Sequence, residues 1–204
     1  MKLGDRAYWL IQDDWNGGLR TSARAAGVVV AGAVVAELIA EHALEVGPDE
    51  VIVRECARPL DDLGFDVVAQ IAAEPGISAA EVIDGLSPSI RERVARRLIK
   101  SGVADERRVG VRRRRVAVAR DGDIGPAQVR AGLAGRVQRG LPLAEDERLL
   151  LQLVRYSSMI GNPLSGIPPD QAAYALRLTG SVIGRYDVLV QAATDAIRAA
   201  AVAR

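Results

Sequence analysis

The chain has 204 residues, enough for one sizeable hydrophobic core, and a single domain is the default at this length. Apolar residues make up 49% but only seven are aromatic, so the core must be built from Ala, Val, Leu and Ile. A single cysteine, Cys56, excludes an internal disulfide and a cysteine-based zinc site, and the net charge of +1 conceals a very uneven distribution.

Taken in chain order, Gly4 to Asp14 predicts a first helix with Tyr8 and Trp9 on its apolar side, broken by Asn16-Gly17-Gly18. Ala23 to His42 predicts a second helix, too long without a turn signal to be a strand despite its valines. Being apolar on every side, it belongs at the centre of the fold. Its longest uncharged run, Ala25 to Ala36, falls short of the ~20 residues of a membrane span, so any membrane contact is expected to be peripheral. Gly47-Pro48-Asp49 between Ala43–Val46 and Val51–Arg54 predicts a small hairpin.

Leu60 to Glu74 is amphipathic and stops at Pro75-Gly76, and Ser78 caps a short helix to Gly85. Ser87-Pro88 has the form of a helix start, and the helix it predicts runs to Ser101, with Gly102 as the terminating glycine. Valines on both sides of Arg112 to Arg115 predict a second hairpin with a basic turn. Helices follow near 125–139, 144–160, 169–184 and 186–203, with breaks at Pro163 and Pro168-Pro169, and the GNPLSG segment at 161–166 predicts a turn. The expectation is an all-α single domain, 1–204, with one or two small β-hairpins.

The positive charge is concentrated. Between Arg91 and Arg120 stand twelve basic residues and three acids, a local net charge of +9, so the other 174 residues sum to −8. Such asymmetry points to an anionic partner. Along the helix, Arg93, Arg96, Arg97 and Lys100 recur at three- and four-residue spacing and predict an outward basic stripe. Ile90, Val94, Leu98 and Ile99 form the opposing apolar stripe. Guanidinium groups suit bidentate contact with phosphate.

Catalytic signals are lacking in the sequence. His42 is the one histidine and has no second ligand near it, and no nucleophile elbow, Walker loop or dinucleotide fingerprint occurs. Cys56 has no paired base in sequence, and the adjacent acids Asp13-Asp14 and Asp61-Asp62 fit helix caps or solvated surface. The chain is therefore expected to be no enzyme and to need no cofactor or metal. The N-terminal segment has charges within its apolar stretch, unlike a signal peptide, and the expected location is cytoplasmic, peripheral on the inner face of a membrane. Arginine in place of lysine, with abundant Ala, Val and Gly, is the coding habit of a GC-rich bacterial genome.

Three partner classes fit the basic segment. Anionic lipid gains roughly 1 kcal/mol per Lys or Arg near the bilayer. DNA is the second, because a short helix, a basic helix and a basic hairpin over 78–118 follow the order of a winged helix-turn-helix. An acidic protein partner, with the chain as an adaptor, is the third.

Four stretches, with a fifth further on, carry a resemblance that extends over most of the chain. Helix one ends in Leu10-Ile11-Gln12-Asp13, and GAVVAELIAEHALEV runs from Gly32 to Val46. Arg58-Pro59-Leu60-Asp61 leads into DVVAQIAAEPG, and IRERVARRLIKSGV, the most specific, spans Ile90 to Val103. Further on stands ERLLLQLVRYSSMIGNPL. Together they resemble the Golgi phosphoprotein 3 family in its bacterial form, a fit that a winged helix would match only over about 78–118. The resemblance implies a compact, mostly helical, non-enzymatic domain that binds phosphatidylinositol 4-phosphate at a shallow basic pocket, beside a hairpin that aids insertion or self-association. Aligned to that pattern, Arg91 matches one pocket arginine, while Pro88 and Ala31 stand at two others and Ser22 near the pocket tryptophan, with Trp15 earlier in the same loop. The headgroup-contact set this gives is Trp15, Arg91, Arg93, Arg97, Arg112, Arg113, Arg114 and Arg115. The expected partners are anionic phospholipid headgroups such as phosphatidylglycerol or cardiolipin at a membrane surface. Homo-oligomer formation through the hairpin is also expected, and nucleic acid ranks behind lipid.

Overall fold

Helix α2 (Ala23–Ala40) is the axis around which the other elements are arranged, in a computed structural model that describes residues 1–13, 18–109, 114–119, 124–155, 157, 169–179 and 184–202. Fifteen of its eighteen residues are buried, in keeping with its predominantly apolar composition. By length and composition α2 is able to cross a bilayer, but here it is enclosed by α1 (Leu3–Leu10), α4 (Ala79–Leu86), α5 (Ile90–Lys100), α7 (Glu145–Arg155) and α9 (Asp187–Val202). Ser22 caps its start by accepting from Ala25 N at 3.2 Å. Its end is a Schellman turn: His42 takes φ +60°, and the amides of His42 and Ala43 return to Ile39 and Leu38. The lone histidine is thus an exposed terminating residue.

The early hairpin forms as expected, from β1 (Leu44–Val46) paired antiparallel with β2 (Val51–Val53). Helix α3 (Asp62–Ala72) buries Leu63, Val67 and Ile71 and is capped by Asp61, whose carboxylate accepts from Gly64 N at 2.8 Å. Ser78 and Glu81 form the capping box of α4. The second hairpin pairs β3 (Ala104–Val109) with β4 (Arg114–Ala119), and β3 begins further upstream than the valine pattern indicates. Tyr8 fixes it to the core, where its hydroxyl accepts from the amide of Ala117 at 3.2 Å.

Several boundaries differ from the sequence reading, three of them with a clear physical cause. Helix α1 stops at Leu10, because the backbone then pairs across the following loop, with Gln12 bridging Leu19. Ser87 does not open the basic helix. Its hydroxyl donates back to Ile83 O at 2.6 Å and closes α4, while Gly27 of α2 packs so close that a Cβ there would lie 2.3 Å from the Ser87 carbonyl. Helix α5 therefore starts at Ile90, and it ends as expected on Gly102 at φ +77°. Helices α6 (Pro126–Gln138), α7, α8 (Pro169–Thr179) and α9 occupy the four predicted places, with a 3₁₀ turn at Gly184–Tyr186 before α9. Pro163, Pro168 and the predicted turn at 161–166 lie outside the described residues. The protein is mainly helical, with two small two-stranded sheets among the described residues.

Candidate anion-binding face

Helix α5 docks by Ile90, Val94 and Leu98, all buried, while Ile99, the fourth member of the predicted stripe, is half-buried against the core. Its cations then separate into two populations. The expectation that Arg93, Arg96, Arg97 and Lys100 form one outward stripe is corrected by Arg97, whose side chain is only 11% exposed. Its Nε donates to Asp5 Oδ1 at 2.9 Å and its Nη1 to Glu37 Oε1 at 2.7 Å, and Asp61 Oδ2 lies 3.4 Å from the same Nη1. A headgroup contact through Arg97 would have to break those bonds, so Arg97 is a tie between α5 and the core.

Lys2 joins the same cluster, with Nζ 3.2 Å from Glu37, 3.0 Å from Glu41 and 3.1 Å from Asp61. Gly4 N also donates to Glu37, at 3.1 Å. Two cations thus face four carboxylates from α1, α2 and the α3 cap. Burial opposes the charge on Lys2, but Glu37, Glu41 and Asp61 outweigh it and hold the ammonium well above the ordinary lysine range. Burial likewise opposes the charge on Arg97, and Glu37 and Asp5 reverse that effect. Burial dominates at Asp5 and raises its carboxyl, with Arg97 pulling the other way. At Asp61 burial is outweighed by the Gly64 amide, Lys2 and Arg97, and its carboxyl is lowered.

The outer population faces a groove between α3 and α5. Arg93 is 14% exposed, with Nη2 3.7 Å from Asp66 and Nη1 3.5 Å from Gln70 Oε1. Lys100 pairs with Asp62, and this pair lies on the surface. Arg96 is exposed and has no carboxylate partner among the described residues. Arg107 on β3 is in the same condition. Arg91 is half-buried in the first turn of α5.

Other expected contact residues are placed only in part. Trp15, Arg112 and Arg113 lie outside the described residues. Arg114 and Arg115 belong to β4, in register with Val109 and Arg108. Of the positions aligned with pocket residues, Ala31 is fully buried within α2, Ser22 is its N-cap and Pro88 is exposed between α4 and α5. Near that junction Arg24, at the start of α2, lies 3.7 Å from Asp84 of α4. Cys56 is half-buried, with its thiol donating to Glu41 O at 3.2 Å.

Sequence reasoning missed Asp5, Glu37 and Asp61 as partners of Arg97. One signal was present: Glu37 is the sole acid in the central helix and lies within its buried stretch, and a buried carboxylate requires a cation or a proton. Which cation it meets was not legible, because Arg97 lies sixty residues away.

Comparison with known proteins gives a family match over almost the entire chain. A family model described as Golgi phosphoprotein 3 (GPP34) matches residues 3–200, from the start of α1 into α9. No curated protein matches the sequence.

Proposed function

The chain belongs to the Golgi phosphoprotein 3 family, and from that premise we propose that it is a non-catalytic domain that adheres peripherally to membranes by binding anionic lipid headgroups. The observation that carries this reading is the +9 charge between Arg91 and Arg120, of which the ion pairs at Arg93, Arg97 and Lys100 offset a part. Arg91, Arg96, Arg107 and the hairpin arginines Arg112 to Arg115 are the proposed contacts, and Trp15 is a further proposed contact. Several such groups at roughly 1 kcal/mol each give useful, salt-sensitive adhesion.

The family's ligand, phosphatidylinositol 4-phosphate, is the finer reading. Arg91 supports it. Pro88 and the buried Ala31 favour adhesion by charge, for which phosphatidylglycerol or cardiolipin suffices. Packing also favours lipid over DNA. Helices α4 and α5 follow the order of a winged helix, but they pack on α2 and bury their apolar faces in the common core, which a free-standing recognition unit would not do.

The test is co-sedimentation at near-physiological salt with neutral vesicles, phosphatidylglycerol/cardiolipin vesicles, and neutral vesicles carrying phosphatidylinositol 4-phosphate. Binding to both anionic types is the expected result, and binding only to the last would establish a specific pocket. Arg91→Ala combined with Arg112, Arg113, Arg114 and Arg115 to Ser should abolish sedimentation without unfolding the protein, as a retained cooperative thermal melt would show. Survival of binding in that variant would show the proposed face to be wrong, and no binding to any vesicle would remove the lipid reading.

A further inference from the structure

The groove between α3 and α5 carries both signs of charge on facing walls. It encloses about 600 Å³, with Asp62 and Asp66 on one wall and Arg93, Arg96 and Lys100 on the other. Asp61 and Arg97 also line it, but they are engaged in the inner cluster. The pairs that cross the groove are loose or exposed. Asp66 is 65% exposed and 3.7 Å from Arg93, and Lys100 and Asp62 are both about three-quarters exposed. The exposed Lys100–Asp62 pair contributes little, and the Arg93–Asp66 pair, though its arginine is largely enclosed, is long at 3.7 Å, so both leave charge for a ligand. Arg96 adds a cation with no carboxylate partner among the described residues.

We propose that this groove binds a zwitterionic headgroup of the ethanolamine class, a phosphate joined through a short carbon link to a primary ammonium. The phosphate is received by Arg96 and Arg93, and the ammonium by Asp66 and Asp62. The inference rests on the lipid reading above and names a headgroup for one part of that face.

The chemistry of the walls selects this class. A purely anionic headgroup entering the groove meets Asp62 and Asp66 as well as the arginines, and that repulsion discriminates against it. A phosphate bearing an ammonium satisfies both walls at once. The ammonium should be primary, because its three N–H groups donate to carboxylates, whereas a trimethylammonium has no donor. Recognition of a quaternary ammonium relies instead on aromatic faces, and no aromatic residue among the described residues lines this groove.

Two measurements test the proposal. The first is co-sedimentation with vesicles of equal phosphatidylglycerol content, the remainder being phosphatidylethanolamine in one set and phosphatidylcholine in the other. The ethanolamine vesicles should bind roughly threefold tighter, the scale of one exposed ion pair. Asp62→Asn with Asp66→Asn should remove that preference yet bind phosphatidylglycerol at least as well, since it removes two negative charges from exposed positions. Equal binding of the wild-type protein to both sets, or a preference that persists in the double variant, overturns the proposal.

The second measurement does not depend on membranes. O-phosphoethanolamine and phosphocholine are titrated into ¹⁵N-labelled protein. Shifts of α3 and α5 amides with the former alone support the groove even if no vesicle is bound, which would sink the adhesion reading separately. No shift with O-phosphoethanolamine, or equal shifts with both, overturns the groove proposal.

Discussion

Arg96 and Arg97 are neighbours of identical chemistry with opposite fates. One helical step of about 100° separates them. Arg97 turns into a cluster where Asp5, Glu37 and Asp61 hold its guanidinium, while Arg96 stands exposed with no carboxylate partner among the described residues. A charge count along a helix thus measures two things together: charge that ties the helix to its own core, and charge left for something else. Only the second belongs to a binding face. The comparison divides the basic region into an inner part held by buried carboxylates and an outer part along the α3–α5 groove and the hairpin, and each part makes its own predictions.

The largest effect is expected inside. Arg97→Met leaves the buried carboxylates of Asp5 and Glu37 without their main cation, and it should destabilise the fold by about 3–5 kcal/mol in urea denaturation. Glu37→Leu added to Arg97→Met should recover part of that loss, because it removes one of the stranded charges. A loss no larger than that of an exposed arginine would collapse the distinction between the two residues.

Next in size is the link between the outer hairpin and the core. The buried Tyr8 hydroxyl accepts from the Ala117 amide, so Tyr8→Phe strands that donor. The expected cost is about 1–2 kcal/mol, with faster amide hydrogen exchange in β3 and β4 and little change in α2. Uniform loss of protection across the whole chain would mean that the hairpin is not a separately held element.

These particular residues also show how far the sequence was legible. Patterns within one element were readable: the apolar α2, the Ile90, Val94, Leu98 stripe, the Ser78 cap and the Gly102 stop each follow from spacing or local chemistry. Ser87 was misassigned because a serine before a proline fits a helix start equally well as a closing turn, and only packing against Gly27 decides. The five stretches that carry the family resemblance agree with the helical fold read from periodicity, and the family match spans them. The candidate face was half legible. Its charge was plain, but its division was not, since the acids that claim Arg97 come from α1, α2 and the α3 cap, far apart in sequence.

A smaller effect separates the two parts by pH. Lys2 has a folded-state pKa raised above its ordinary 10.5, so its contribution to stability is fully present below that value and is lost as pH rises beyond it. Lys2→Met should be less stable at neutral pH and should show a weaker decline in the alkaline limb. The acid limb is a poorer readout, because two carboxyls act in opposite senses. Asp61, lowered by its partners, gives stability that is lost as pH falls below 3.8. Asp5, raised by burial, is relieved by the same protonation. An alkaline limb identical in wild-type and Lys2→Met would place the ammonium outside the cluster.

The smallest effect on folding is expected at Arg96, and there the comparison is most exposed to failure. Its side chain has no ion pair to lose among the described residues, so Arg96→Ala should change stability by less than about 0.5 kcal/mol. The same change should weaken binding to phosphatidylglycerol vesicles by about fivefold, since one basic group near an anionic surface is worth roughly 1 kcal/mol. Added salt should shrink that difference, because a charge at the surface is screened and a buried one is not. Wild-type stability together with wild-type binding would show that exposure and lack of a partner do not mark the contact residues, and the bet would pass to the hairpin arginines alone. Lost stability would mean that Arg96, like Arg97, is spent within the fold.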